Sequence, residues 1–247
     1  MIKVTYGVTA TRYNIQKKLN SLSDKPVMSL DTETSGVYPK QDRKTAQKLL
    51  DKDPNLSIDQ IKQYRMVAGN SGLSFPSLVL TTHFVFGLSR DHSEILIPDS
   101  VHTEMLIWKF IASHKGLLVI HNALFDLQIM YSRVGCLPQN YVDTAIMSKC
   151  FMNHVNIWKA KASLKELMKN QYDPSWSIYN EYEPENPKNP KFLKYCSIDG
   201  AATFNLWEEL KAHSKKKGKD LWNRLIQTFW LRMLIYPFLE SSTNGCC

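Results

Sequence analysis

Long hydrophobic runs are missing from this sequence. No apolar stretch approaches the roughly 18 residues that a membrane-spanning helix needs, and the first residues lack the charged-then-apolar pattern of a secretory leader. The expectation is a soluble, cytoplasmic protein with no membrane partner. Cysteine is scarce as well: five residues, Cys136, Cys150, Cys196, Cys246 and Cys247, an odd total with no Cys-x-x-Cys spacing. That pattern argues against a disulfide framework or a zinc site. Internal repeats are absent, and the one low-complexity tract is KKKGK near residue 217.

What is present is enough for a substantial core. The chain has 247 residues, 43% of them hydrophobic, which suits one large domain with or without an appendage. Its net charge of +8, with a pI near 9.1, points toward polyanionic partners such as nucleic acid, although many soluble proteins are basic for no specific reason.

After a short N-terminal segment, Val27–Leu30 reads as a buried strand. Thr81–Leu88 and Glu94–Ile97 read as two more, with Gly87 and the polar SRDHS supplying the turn between them. Val101–Ala112 has helical periodicity, Leu117–Ile120 is a short apolar strand, and NALFDLQIMYSRVG returns to helical spacing before Gly135. This order predicts an α/β architecture, a mixed sheet flanked by helices. Beyond Asp143 the chain reads as mostly helical, over Asp143–Phe151, Ser163–Lys169, Pro190–Lys211 and Asp220–Leu239. Residues 38–77 look like a polar helical insertion broken at Pro54, with Ser57 and Gln60 as a capping box. Asn170–Pro190 reads as a loop or partly unwound connection.

The sharpest feature is PVMSLDTETSG, where an extended apolar run ends in two carboxylates. Unpaired buried charge is costly, so a metal ion is one explanation. Asp31 and Glu33 are two apart and share a strand face, while Thr32 points into the other layer. Asp126, in VIHNALFDLQIM, sits one turn into a helix that follows a strand, at the strand's C-terminal end where α/β sites gather. Tyr195 and Asp199, in KYCSIDGAATFNLW, are four apart and share a helix face, about 5–6 Å from each other at Cβ. Each has a plainer reading. Asp31 can cap a turn, Asp126 can face a helix dipole, Tyr195 can be a core aromatic, and Asp199 can pair with Lys191 or Lys194 at the surface. One hypothesis covers all the fragments, whereas the plain readings must hold independently.

LDTET, HNALFD and YCSID, in that order, resemble the three motifs of the four-acid (DEDD) 3′–5′ exonuclease superfamily, in the subclass with Tyr four residues before the last Asp. The chain is similar more narrowly to the proofreading domain of family A DNA polymerases, the polymerase I and phage group. YVDTAIMSKCFMN resembles that family's Asp-Thr-Met-Leu helix, and SLKELMKNQY its Leu-x-x-Leu-Ala helix. The resemblance spans about residues 25 to 245, without the insertion. It implies a ribonuclease H-like fold and hydrolysis of a terminal phosphodiester with two divalent ions, Mg2+ or Mn2+. By this resemblance Asp31 bridges both ions, Glu33 and Asp199 complete the water-activating site, Asp126 holds the second ion, and Tyr195 aligns the nucleophile. Thr32, Thr34, Val37, Asn122 and Phe125 fall where the family contacts substrate, with Val37 as a wedge between bases, Phe125 beside the terminal nucleotide and Asn122 either bonding substrate or fixing the motif. Val37 and Phe125 also read simply as core. The implied partner is a single-stranded or frayed 3′ end of DNA, and a mismatched end is cheaper to unpair. Lys159, Lys161, Lys165 and Lys169, or Lys215, Lys216, Lys217 and Lys219, form candidate phosphate-tracking faces or plain solvated surfaces.

The expected organisation is an exonuclease domain over 1–240, with 241–247 either the start of a missing polymerase domain or a truncated tail. A separate polymerase polypeptide is then a second implied partner, in the cytoplasm of a bacterium or phage-infected host. Two rivals stand beside this reading. One is a ribonuclease D-like RNA-trimming enzyme, which uses the same acids and Tyr; the other is a DNA-binding module that lost its activity.

Overall fold

The computed structural model describes residues 3–34, 81–151, 163–168 and 189–217. The 38–77 insertion, most of the Asn170–Pro190 connection, the Asp220–Leu239 helix and the 241–247 tail lie outside the described residues.

The acid-bearing strand, β2 (Val27–Thr34), lies inside the sheet. Its period-2 alternation sorts side chains between two layers: Met28 and Leu30 enter one core, while Ser29 faces a helix on the opposite side. Six strands line up in the order β1-β4-β3-β2-β5-β6, where β1 is Thr5–Thr9, β3 is Thr81–Gly87, β4 is His92–Leu96, β5 is Leu117–Ile120 and β6 is Tyr141–Asp143. β3 is antiparallel to β2 and β4; β1–β4, β2–β5 and β5–β6 are parallel. This is the mixed α/β sheet that the sequence predicts.

The first core holds buried residues of three helices, α1 (Arg12–Leu22), α2 (Val101–Ser113) and α3 (Leu124–Val134). Ile15, Leu19 and Leu22 of α1 and Ile107, Trp108 and Ile111 of α2 recur at helical spacing and meet Phe84, Phe86, Leu118 and Ile120 of the sheet. Trp108 is fully buried and stands edge-on to Phe84, with centroids 4.8 Å apart. Ser100 caps α2 by accepting the Thr103 N–H.

The opposite face carries α6 (Pro190–Lys217), with α4 (Thr144–Phe151) and α5 (Leu164–Leu167) packed beside it. Ala201, Ala202, Leu206 and Leu210 of α6 share a core with Val119 of β5. α6 approaches the sheet closely at Gly200. Ser29 Oγ donates to the Gly200 carbonyl at 2.7 Å and accepts the Gly87 N–H at 3.0 Å, and Ser93 Oγ donates to the Ser197 carbonyl at 2.9 Å. A Cβ at Gly87 would collide with the Gly200 carbonyl, and one at Gly200 would lie 2.7 Å from Val85 Cγ1. Gly87 is therefore a close-approach residue at the end of β3 rather than part of the expected turn, which Leu88–Asp91 make instead, closed by Leu88 N–H to the His92 carbonyl at 2.9 Å.

Three further differences from expectation have physical causes. The N-terminal lead-in contains β1 and α1; β1 is a half-exposed edge strand, so TYGVT carries no apolar alternation to read. Asp143 ends β6 rather than beginning a helix, and α4 starts at Thr144. α6 continues past Lys211 to Lys217, through a lysine-rich stretch where apolar periodicity fades.

Candidate active site

β2 and β5 run parallel, paired up to Leu30 and Ile120, and their C-terminal ends open on the same edge. Asp31 and Glu33 follow Leu30 on the α6 side. Tyr195 and Asp199 come to them from α6, whose depth is set by the Ser29–Gly200 and Ser93–Ser197 contacts. One carboxylate oxygen from each of Asp31, Glu33 and Asp199 lies within 4.8 Å of the others. Tyr195 is hydrogen-bonded to Asp199 and half-buried, its ring stacked on Phe192 with centroids 6.3 Å apart. Asp199 is 7% exposed and belongs to the cluster.

Asp126 reaches the cluster from the other layer. It lies in the first turn of α3, buried, and Thr32 Oγ1 donates to its Oδ1 at 2.5 Å. Thr32 thus links β2 to the acid of the next motif; the direction of its side chain is the one the sequence predicts, and its hydroxyl serves Asp126. Asn122 and Phe125 stand at the entrance to α3, Asn122 exposed and Phe125 partly buried against the core. Thr34 lies past a register irregularity between Glu33 and Thr34, half-buried. Val37, Lys159, Lys161, Lys169 and Lys219 are outside the described residues.

The acids oppose one another's ionisation. Burial first, then Glu33, Asp199 and Asp126, hold the Asp31 carboxyl well above its ordinary range. Glu33 is raised to about 8 by burial and by Asp199 and Asp126, against the partial relief of Lys165 and a Cys196 thiol contact. Asp126 is raised to about 7, chiefly by burial, with the Thr32 hydrogen bond working the other way. Tyr195 is pushed far above its usual value, first by burial and then by Asp199, so it keeps its proton and serves as a donor.

This donor set fits a divalent cation. It is made of carboxylate oxygens, the ligands that Mg2+ and Mn2+ prefer, and a dication would offset the repulsion that raises the acids. Asp31, Glu33 and Asp199 converge closely enough to hold one ion.

The sequence reading gives Cys196 no role and names Lys165 without the partners it has here. Cys196 Sγ sits 3.9 Å from Glu33 Oε1, its thiol pushed up by burial and the surrounding acids. Lys165 places Nζ 4.6 Å from the Tyr195 ring centroid and its charge beside Glu33. The sequence offers Lys165 as part of a phosphate-tracking face or of a plain solvated surface; Ser163 starts its short helix as a cap to the Glu166 N–H.

The sequence matches none of the curated proteins. Brucella melitensis NrnC has a similar structure, 13% identical over 87% of this chain and 84% of that chain, with a TM-score of 0.56; NrnC is also solved with bound Mg2+ and with pGG. Trypanosoma brucei RNase D in complex with RNA is 12% identical over 85% of this chain and 63% of that one, with a TM-score of 0.54. The T. brucei RRP6 catalytic core is 12% identical over 91% and 51%, with a TM-score of 0.53. These likenesses place the architecture among ribonuclease H-like nucleases. Residues 86–214 match the family model described as 3′–5′ exonuclease. That span is more than half of the chain and takes in Asp126, Tyr195 and Asp199, so the chain belongs to the 3′–5′ exonuclease family, of the DEDD type.

Proposed function

We propose that this exonuclease removes nucleotides one at a time from a single-stranded or frayed 3′ end of DNA, as a proofreading enzyme does. The observation that carries the hydrolysis is the convergence of Asp31, Glu33 and Asp199 within 4.8 Å, with Tyr195 bonded to Asp199. In this reading two divalent ions, Mg2+ or Mn2+, when bound stabilise the charge on the attacking and leaving oxygens. Asp31, Glu33 and Asp199 would hold one ion between them, and Asp126 would help hold the second. Water attacks the terminal phosphorus, its oxygen bonds to phosphorus as it gives up a proton to solvent, and the P–O3′ bond breaks. The released 3′ oxygen takes a proton, and a nucleoside 5′-monophosphate departs.

Tyr195 orients the water by accepting a hydrogen bond on its hydroxyl oxygen while its own O–H donates to Asp199, and it does not take a proton, because its own is held tightly. Phe125 and Asn122, at the mouth of α3, face the terminal nucleotide, with Thr34 at the end of β2 beside them. Contacts of this kind read no sequence, which suits an enzyme that must accept any end. The DNA preference rests on YVDTAIMSK and SLKEL, which resemble the polymerase family's helices. RNA is the second reading, because one of the similar structures is an RNase D bound to RNA.

Digestion of 5′-labelled single-stranded DNA and RNA with Mg2+ tests both. A DNA ladder shortening from the 3′ end, abolished by chelation and by Asp31→Ala, is expected. Faster loss of RNA replaces the DNA reading with RNA trimming, and no cleavage of either removes both.

A further inference from the structure

One carboxylate outside the acidic cluster is bound by two separate segments of backbone. Asp143, the last residue of β6, accepts N–H groups from Ala145 at 2.8 Å and Ile146 at 3.4 Å, in the first turn of α4. That is ordinary helix capping. It also accepts the Asn122 N–H on Oδ1 at 3.1 Å and the Ala123 N–H on Oδ2 at 2.9 Å, and these belong to the turn that joins β5 to α3.

The turn has a shape made for this. Asn122 has φ +58°, in the left-handed region, and is the one described non-glycine residue there; Ala123 follows with φ −54° and ψ −22°. Left- and right-handed residues in succession aim consecutive N–H groups at one point, a concavity that holds an anion. Asp143 is the anion. Asp126 comes three residues after Ala123, so the placement of this turn fixes where its carboxylate stands. Thr144 ties the same strand end from the neighbouring position, its hydroxyl bonding the Ile120 carbonyl at 3.3 Å and His121 Nδ1 at 2.8 Å.

We propose that Asp143 is a positioning residue for the hydrolysis: by clamping the Asn122–Ala123 turn to α4 it holds Asp126 in place to bind a metal ion. The inference rests on the role given to Asp126 under Proposed function. Asp143 itself touches neither substrate nor ion.

The test uses the full chain, with free Mn2+ followed by electron paramagnetic resonance beside steady-state kinetics on a 5′-labelled oligonucleotide. Asp143→Asn keeps the size and loses one acceptor oxygen; it is expected to weaken Mn2+ binding about 10–100-fold and lower kcat by a similar factor, with KM for the oligonucleotide nearly unchanged. In an Asp126→Asn background the same change is expected to leave Mn2+ affinity where it was, because both act through one carboxylate. Asp143→Ala should regain part of its activity with added formate, which can enter the emptied concavity. Glu104→Gln, remote from the turn, controls for lost stability: it should lower Tm without moving the Mn2+ midpoint.

If Asp143→Asn behaves like Glu104→Gln, or if its effect adds in full to Asp126→Asn, the proposal fails. Near-ultraviolet circular dichroism checks folding, and Asp143→Glu, which keeps both oxygens, replaces Asp143→Asn if that variant is unfolded, under the same criteria. A wild type that neither binds Mn2+ nor cuts overturns the reading of the site itself; one that does both beside an indifferent Asp143→Asn overturns only the role of Asp143.

Discussion

Two groups of buried acids in this molecule are built on opposite principles. Glu104, 2% exposed, has a cation and two donors of its own: Arg133 Nε lies at 3.4 Å, the Trp108 Nε1–H at 3.4 Å and the Thr81 N–H at 3.0 Å, all on Oε1. Asp31, Glu33 and Asp199 instead face one another across less than 4.8 Å, with Asp126 near enough to add to their repulsion. A buried carboxylate with its own cation and donors serves the fold. A group of carboxylates that oppose each other's ionisation is set to receive a charge from outside. The difference predicts that the two groups separate activity from stability.

The largest effect is expected at the cluster. Asp31→Ala or Asp199→Ala removes a ligand worth several kcal/mol of charge stabilisation in the transition state, so kcat should fall by about a thousandfold or more. Asp31→Asn should do the same while raising the Tm of the metal-free protein, since it removes a charge that its neighbours oppose. A metal-free Tm that drops instead would mean the acids are already compensated, and the comparison would collapse. Glu104→Gln should invert the pattern: breaking a buried pair from one side costs about 3–5 kcal/mol, read by urea unfolding, while kcat per folded molecule holds. If Glu104→Gln abolished activity in folded protein, Glu104 would belong to the site.

Next in size is the joint that brings α6 to the sheet. Gly87→Ala pushes a methyl group against the Gly200 carbonyl, and Gly200→Ala pushes one against the Val85 side chain. The first meets rigid backbone and the second a side chain that can shift, so Gly87→Ala should cost more, within the about 1–3 kcal/mol typical of overpacking. Because Gly200 follows Asp199, both should also weaken metal binding. A loss of stability with an unchanged metal midpoint would show that α6 does not set the position of Asp199.

Legibility in the sequence followed the distance over which each feature is encoded. Asp31 and Glu33 share a face because strands have period two, and Tyr195 and Asp199 because helices have i, i+4 neighbours; both rules are local. The strands and helices carrying these residues were readable for the same reason. The partner of Thr32 was not, because Asp126 lies 94 positions away and only the parallel pairing of β2 with β5 brings them together. Lys165 over Tyr195 and Cys196 beside Glu33 were hidden likewise, as tertiary contacts across helices and sheet. β1 was missed because an exposed edge strand has little apolar face, and Gly87 was misplaced because a glycine serves a turn or a close approach with the same letter.

The smallest expected effect is the dependence of metal-free stability on pH, and its sign tells the two groups of acids apart. Glu33 is raised from 4.5 to about 8 and Asp126 from 3.8 to about 7. Between those values the folded protein holds protons that the unfolded chain has released, so folding is favoured by acid and stability falls as pH rises. Without metal, Tm should therefore decline from about pH 4.5 to about pH 8. A divalent ion competes for the same oxygens, so its stabilising effect should grow over that window and turn the slope upward. The Glu104→Gln variant should keep both slopes, whereas Glu33→Gln should flatten the metal-free one. A metal-free Tm that rises with pH through this range would mean that the acids ionise more easily in the folded state than in the unfolded chain, and the cluster would then be a paired structural network like that of Glu104.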